Sequence, residues 1–395
     1  MGKQRLVILS GSFPGVLCGV SGHVQLIAEG VVRRGGYEVL VLTSADRALR
    51  PETAKGYEVK GVIEDWGYLS ARRICREIIK LGPNVVHIQN PTVKYTGWRS
   101  GLMSVAGPLL KKMAPSIRIV VTQHDIAIGA PAFRWRYYPL FWAAEAVIVS
   151  NRRDYQAVLE AGIDPRRLYR APVSAHFKMH PRTKATRSAA RRKFKIPRQA
   201  AVAAYFGFVH PGRNVDVLVR ALSILRSRIK VYGLIIGGPF AGAEAYYDQC
   251  QSLARRLGLA GQIIWTGYAT PEQVADGLAA ADVFVSLLER GADLRNTSII
   301  SAILAQLPVV TTCNERYYRD PELDEMGCRY APARDPAAAA EAVIGFLDNP
   351  PPRKLLSQRA ALLDPEKIWA QHVEVNLRAY RGALPTDFNS VRPPG

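Results

Sequence analysis

The chain has 395 residues, 48% hydrophobic and 22% charged, which suits a water-soluble globular protein with two cores of ordinary domain size. Its five cysteines, Cys18, Cys75, Cys250, Cys313 and Cys328, are scattered without a CxxC pair, which argues against a disulfide framework or zinc site and suits a reducing cytoplasm. The net charge of +20 is uneven, with no acidic residue between Asp164 and Asp216, so a block there can meet nucleic acid, anionic lipid or a phosphorylated substrate, or be a solvated face.

Short apolar runs alternate with helical patterns from end to end, which predicts parallel sheets with crossover helices. In the first half the strands are expected at 5–10, 37–42, 84–88, 118–122 and 145–149. Between the first two, Val24, Ile27, Ala28 and Val31 share one helix face. In the second half strands are expected at 201–206, 231–236, 262–266, 282–287 and 308–312. Helices are expected at 215–227, 243–257, 271–281, 298–305 and 336–347. This divides the chain into a domain at 1–175, a basic linker at 176–200, a second domain at 201–365, a returning helix at 366–384 and a flexible tail at 385–395. No apolar run reaches the length of a membrane span, and the start lacks a cleavage region, so a cytoplasmic protein is expected.

The first strand runs into a glycine-rich turn, Gly11 to Gly22, followed by a helix. Such a loop brings backbone N–H groups and a helix N-terminus to a phosphate. The spacing is wrong for a GxGxxG dinucleotide fingerprint, and the second strand ends in Leu42-Thr43-Ser44 without an acid, so a nicotinamide dehydrogenase is not expected.

Four segments in order carry a more specific signal: the opening LSGSFPGVLCGVSGHV through GGYEVLVLTS; VVHIQNP, VVTQHD and AVIVSN; YFGFVHPGRNVDVLVRAL; and Ala281-Asp282-Val283-Phe284-Val285 through Leu307-Pro308-Val309-Val310. Together they resemble family-four retaining glycosyltransferases. The resemblance implies an α/β fold of the GT-B type, with two Rossmann-like domains whose parallel sheets face across a deep cleft, and a nucleotide-sugar donor held mainly by the C-terminal domain. It places Arg213 where the family's second diphosphate-binding cation stands, and Phe208 at the first such position. Counting back from Pro308 puts the family's two glutamates at Asp293 and Ser301; a serine hydroxyl lacks a carboxylate's acceptors. His124 matches a histidine that faces the donor sugar, with Asp125 beside it as a capping or orienting residue.

His124, Asp293 and Arg213 are therefore the expected catalytic residues. The expected donor contacts are Gly15, Gly19 and Val20 in the first loop, then Gly207, Gly237, Gly238, Gly267, Tyr268, Asn296, Thr297, Ser298 and Ser301. Asn296-Thr297-Ser298 opens a helix whose N–H groups and hydroxyls suit a phosphate or ordinary N-capping. No Asp-x-Asp occurs and no cofactor or metal is expected, so Arg213, helix N-termini and backbone N–H groups would stabilise the leaving diphosphate. With one good carboxylate in view, same-face transfer is preferred over double displacement, and domain closure would exclude water.

The expected partners are a UDP- or GDP-sugar and a glycan, lipid-linked or small-molecule acceptor. The segments 95–103 and 129–138 are candidate acceptor loops. The alternative is a non-catalytic GT-B partner or scaffold subunit, kept open by Phe208 and Ser301. Segment 70–80, with Arg72, Arg73, Arg76 and Lys80 beside Ile74, Ile78 and Ile79, reads first as an ordinary amphipathic surface helix and leaves open peripheral contact with the anionic inner face of a membrane. Nucleic acid is not an expected partner, since no aromatic interleaving or nucleic-acid motif accompanies the charge.

Overall fold

The computed structural model describes residues 2–16, 18–51, 54–90, 102–126, 135–313 and 319–385. The chain divides into two compact units: Met1–His176 with Glu366–Gly395, and Phe177–Pro365.

Unit 1 holds β1 (Gln4–Leu9), β2 (Tyr37–Ser44), β3 (Glu58–Ile63), β4 (Val85–Asn90), β5 (Arg118–Gln123), β6 (Ala146–Val149) and β7 (Leu168–Arg170). They form a parallel sheet in the order β3-β2-β1-β4-β5-β6-β7. The central strands are apolar at nearly every position because both faces are covered. Alternation then sorts the side chains. Val7, Leu9, Val86, Ile88 and Val121 enter one core, while Leu6, Ile8, Val39, Val41 and Ile148 enter the other.

The first core is closed by α2 (Ala71–Lys80), α3 (Leu102–Met113), α4 (Tyr138–Ala143) and α5 (Arg152–Glu160). The second is closed by α1 (Gly19–Arg34), whose Val24, Ile27, Ala28 and Val31 are fully buried, together with a returning C-terminal helix at Pro365–Arg381. That helix lies so close that a Cβ on Gly30 would sit 2.2 Å from Val373 Cγ2. The edge strands β3 and β7 escape the sequence pattern. β3 is mostly half-exposed, with a single buried residue, and β7 spans three residues.

Unit 2 carries β8 (Ala201–Phe206), β9 (Val231–Ile236), β10 (Ile263–Trp265), β11 (Val283–Ser286), β12 (Val309–Thr311) and β13 (Arg329–Tyr330), in the order β10-β9-β8-β11-β12-β13. Its helices are α6 (Lys184–Lys193), α7 (Val215–Arg226), α8 (Glu244–Arg256), α9 (Pro271–Ala280), α10 (Thr297–Leu304), α11 (Pro321–Glu325), α12 (Pro336–Asp348) and α13 (Arg353–Leu362); the helix returning to unit 1 is α14. Helices α7, α8 and α12 cover one face of the sheet. On the other, α9 approaches until a Cβ on Gly277 would meet Ile236 Cδ1 at 2.5 Å.

Helix α6 lies inside the stretch read from sequence as a basic linker. A Thr183–Thr186 capping box starts it, and it packs on α9. Its apolar face was invisible because one of its two buried residues is an arginine. Arg191, 1% exposed, donates from Nε to Ala280 O and from Nη1 to Arg198 O and Ala200 O, and its Nη2 meets Asp282 Oδ2 at 2.6 Å. A guanidinium satisfied by carbonyls and a carboxylate fills a place where an aliphatic side chain would have revealed the helix.

Candidate functional site

In unit 2 the C-terminal ends of β8, β9 and β10 each pass into a glycine with positive φ: Gly207 (140°), Gly237 (139°) and Gly267 (66°). Gly207 N donates to Ile236 O at 3.0 Å, and Gly237 bridges Gly267. A Cβ on Gly237 would fall 2.1 Å from Gly207 O, and one on Gly238 would press on the Tyr268 ring at 2.9 Å. The glycines therefore serve close backbone approach, at the strand ends where ligands gather in such sheets. Tyr268 is 56% exposed and its hydroxyl donates to Pro239 O at 2.7 Å. Phe208 sets its ring edge-on against Phe240 (5.7 Å) and Tyr268 (6.5 Å). This aromatic wall stands where the sequence comparison expected a first cation.

Arg213 closes the short 3-10 turn Pro211–Arg213 after β8. Asn214, at φ 48°, leads into α7 and donates to Leu287 O and Glu289 Oε2, both at 3.1 Å. Glu289 N donates to Gly212 O at 3.1 Å. The turn bearing Arg213 is thus tied to the loop after β11, which carries Asp293 and Asn296. Glu289 is held low in pKa chiefly by its hydrogen bonds from Arg334, with Asn214 adding to it. Arg213 has no carboxylate partner among the described residues.

Asp293 is 1% exposed. Both of its oxygens accept from Arg295 Nε at 3.1 Å, and its N–H donates to Asn296 Oδ1 at 2.9 Å. Leu294 N donates to Asp320 Oδ2 at 2.8 Å; burial first, then Glu322, pushes the Asp320 carboxyl up to about 7. The carboxylate selected from sequence is therefore engaged within its own loop. Arg295 was missed, although an arginine two residues beyond a loop carboxylate is a readable signal. Asn296 precedes α10 without a side-chain cap, because its oxygen serves Asp293 N. The start of α10, with exposed Thr297 and buried Ser298, thus presents N–H groups without a capping acceptor. Ser301 is fully buried and its hydroxyl donates to Thr297 O at 2.7 Å.

In unit 1 the first glycine loop divides into two roles. Gly15, at φ 102°, sits where a Cβ would lie 1.7 Å from Ala48 O, and Arg50 N donates to Pro14 O at 2.9 Å. That glycine serves packing against the loop after β2. Gly19 opens α1 with nothing within 4 Å of its Cβ position, after a Cys18 N-cap that makes no side-chain bond. Val20 is half-buried against the core.

His124 follows β5 and its Nε2 lies 2.8 Å from Gln89 Oε1. With the amide oxygen accepting, Nε2–H is the donor. The Gln89 amide nitrogen in turn lies 3.1 Å from His87 Nε2. The His87 ring nitrogens pair with hydroxyls, Nε2 with Thr122 Oγ1 at 2.7 Å and Nδ1 with Tyr380 Oη at 2.8 Å. Asp125 is half-buried beside His124, and Gln123 Nε2 donates to its backbone carbonyl at 3.1 Å.

Further rings surround this chain. His23 stands edge-on to His124 (4.8 Å), His372 (4.7 Å) and Trp369 (5.5 Å), and His176 stacks on Trp369 at 5.2 Å. Burial above all, then the neighbouring histidines, pushes His87 down to about 3 and His23 in the same direction. Burial likewise pushes His372 down to about 4. Sequence reasoning found only His124, because the other four come from α1, β4, the end of unit 1's first segment and α14. The contacts of His23 are edge to face. Among the described residues no group of three or more His, Cys, Asp or Glu is placed to hold a metal ion. The candidate acceptor segments at 95–103 and 129–138 fall largely outside the described residues, as does most of the 385–395 tail.

The sequence model described as Glycosyltransferase Family 4 matches residues 18–172, and that described as Glycosyl transferases group 1 matches residues 200–349. The chain belongs to glycosyltransferase family 4. Within that family it is similar to the D-inositol 3-phosphate glycosyltransferase of Streptomyces coelicolor, 28% identical over 221 residues, 52% of this chain and 46% of that protein. The enzyme of that name from Mycolicibacterium smegmatis is 26% identical over 219 residues, 53% and 46% of the two chains. The chain spans about half the length of the curated relatives it matches.

A solved glycosyltransferase from Rickettsia africae matches with a TM-score of 0.74 at 14% identity, over 96% of this chain and 98% of that one. Anabaena HepE, solved in complex with UDP and glucose, matches with a TM-score of 0.71 at 16% identity, over 95% and 99%. These likenesses show the fold, which is GT-B, here with a seven-stranded and a six-stranded parallel sheet among the described residues. No described helix of this family-four chain is long and apolar enough to cross a membrane.

Proposed function

We propose that the protein is a retaining, metal-independent glycosyltransferase that moves a sugar from a UDP- or GDP-sugar to an acceptor hydroxyl. The observation that carries this reading is Arg213. It is a guanidinium without a carboxylate partner among the described residues, on a turn pinned to the loop that opens helix α10, whose first residue has no side-chain cap. A fixed cation and unused helix N–H groups suit the charge of a leaving diphosphate. Gly207, Gly237 and Gly238 let the strand ends pack closely beside Tyr268, whose exposed ring suits a planar base.

In this reading the bond from the anomeric carbon to the diphosphate oxygen breaks as the acceptor oxygen approaches the same face. The acceptor proton passes to the departing phosphate oxygen, and Arg213 stabilises the charge that develops there. His124, oriented by Gln89, positions hydroxyls of the transferred sugar. The Asp293–Arg295 pair holds the loop that carries Asn296 and Thr297. HepE's complex with UDP and glucose supports a uridine donor as the first to try. The name of the Streptomyces coelicolor relative supports a small phosphorylated polyol as one acceptor.

Titration with UDP, GDP and their sugars, followed by an NMR assay of anomeric configuration in the product, tests the proposal. Binding of one nucleotide and a product of retained configuration are expected; an inverted product overturns retention. Failure of the whole panel to bind favours the second reading, a non-catalytic family member. That reading rests on the locked Asp293 carboxylate and the buried Ser301 hydroxyl.

A further inference from the structure

The acid-free stretch does more than surround Arg191. A cavity of about 1030 Å³ opens in unit 2, lined by the cations Arg182, Lys184, Arg187, Arg191, Arg198 and Arg353, with Asp282 as its one carboxylate. It lies against the segments that enter β8, β11 and β12, and against the end of α12. Gly207, Gly237 and Arg213 stand at the opposite ends of these parallel strands. Six residues of extended chain separate the two ends on β8, roughly 20 Å. The cavity is therefore separate from the proposed donor site.

Asp282 cannot balance these charges. Its Oδ1 receives Arg187 Nη2 at 2.6 Å, and its Oδ2 receives Arg191 Nη2 at 2.6 Å and the backbone N–H of Val202 at 2.9 Å. Arg191 is further satisfied by carbonyls and belongs to the fold. Arg182 donates from Nη2 to Ala281 O at 3.2 Å, while its buried Nη1 has no acceptor among the described residues. Burial, then repulsion from Arg187, Arg353 and Arg191 against the pull of Asp282, depresses its pKa to about 10. Lys184, Arg198 and Arg353 have no carboxylate partner among the described residues. A concave site with this excess of guanidinium and ammonium groups is built for an anion with several charged oxygens. Pro308, Pro350 and Leu356 add an apolar wall, which suits an organic body behind the charge.

We propose that this cavity is a second ligand site, which binds a multiply charged phosphate ester. Its source is either a soluble organic phosphate or the phosphate headgroup of a lipid. Lys184→Ala/Arg353→Ala is the first variant, because neither side chain makes a hydrogen bond within the fold among the described residues. Calorimetric titration of the full chain with inorganic tripolyphosphate is the soluble arm. Co-sedimentation with vesicles of phosphatidylcholine containing phosphatidic acid is the lipid arm.

The wild type is expected to bind in at least one arm, and the double variant to lose about tenfold or more in affinity there. Arg213→Ala is expected to keep the binding component that the double variant loses. Binding in the soluble arm alone assigns a soluble phosphate compound, and binding to vesicles, alone or as well, assigns a headgroup. Absence of binding in both arms overturns the proposal. So does equal affinity of wild type and double variant, or a loss in Arg213→Ala alone, which would place the anion at the donor site. If the double variant does not fold, Arg198→Ala, whose side chain makes no hydrogen bond among the described residues, provides the same comparison.

Discussion

Acidification from about pH 7.5 to about pH 5 is expected to weaken unit 1 and to spare unit 2. His87 and His372 are fully buried, and their folded pKa values lie at about 3 and about 4, below the 6.5 of an exposed histidine. Below that value the unfolded chain takes up protons that the folded cluster refuses. Stability is therefore complete above about pH 6.5 and falls as the pH drops towards the folded values. At pH 5 each ring costs about 2 kcal/mol, about 4 kcal/mol for the two. His23 adds to the loss in the same direction. His176 is left out because much of its side chain is exposed to solvent, where water screens its charge.

The sign reverses in unit 2. Asp320, 1% exposed with a folded pKa of about 7, takes up a proton in the folded state first. It gains about 2–3 kcal/mol over the same interval. Hydrogen exchange resolved by segment, with urea titration at each pH, separates the two units. Trp369, stacked on His176, reports locally by fluorescence. Opening free energies of β4, β5 and α14 that stay level between pH 7.5 and 5 would refute the reasoning.

Four further outcomes are expected. Arg213→Ala weakens nucleoside-diphosphate binding by about 1–3 kcal/mol, measured by calorimetry, and leaves the melting temperature unchanged. Arg295→Ala removes a side-chain cation from the buried Asp293 carboxylate, which keeps the backbone N–H of residue 295 at 3.1 Å, and destabilises unit 2 by about 1–3 kcal/mol in urea; Asp293→Asn in the same chain recovers most of that loss. Gly237→Ala meets Gly207 O at 2.1 Å and φ 139°, so it lowers the midpoint of unit 2 by at least about 1–3 kcal/mol. His124→Ala removes a half-buried ring from the end of β5, so transfer is lost while circular dichroism is retained.

Much of the architecture was legible because parallel strands covered on both faces must be apolar throughout. Strands β8 and β9 fall at the residues expected, and α1 buries the four residues its spacing selected. The short or polar edges β3, β7 and β13 were not legible, since edge strands need not carry that pattern. Helix α6 was hidden because its buried Arg191 is satisfied by carbonyls and Asp282 from distant segments.

The site divides in the same way. Arg213, His124 and the glycines at the ends of β8, β9 and β10 are local features, set by motif position and backbone freedom, and the sequence alone selects them. That Arg295 holds the Asp293 carboxylate, that Ser301 is turned into its helix and that His23, His176 and His372 gather around Trp369 was decided by the tertiary structure. So was the concentration of a diffuse basic stretch into one cavity with Arg353. Each depends on which distant side chains share a low-dielectric space, and charge pairing and burial have no period along the chain.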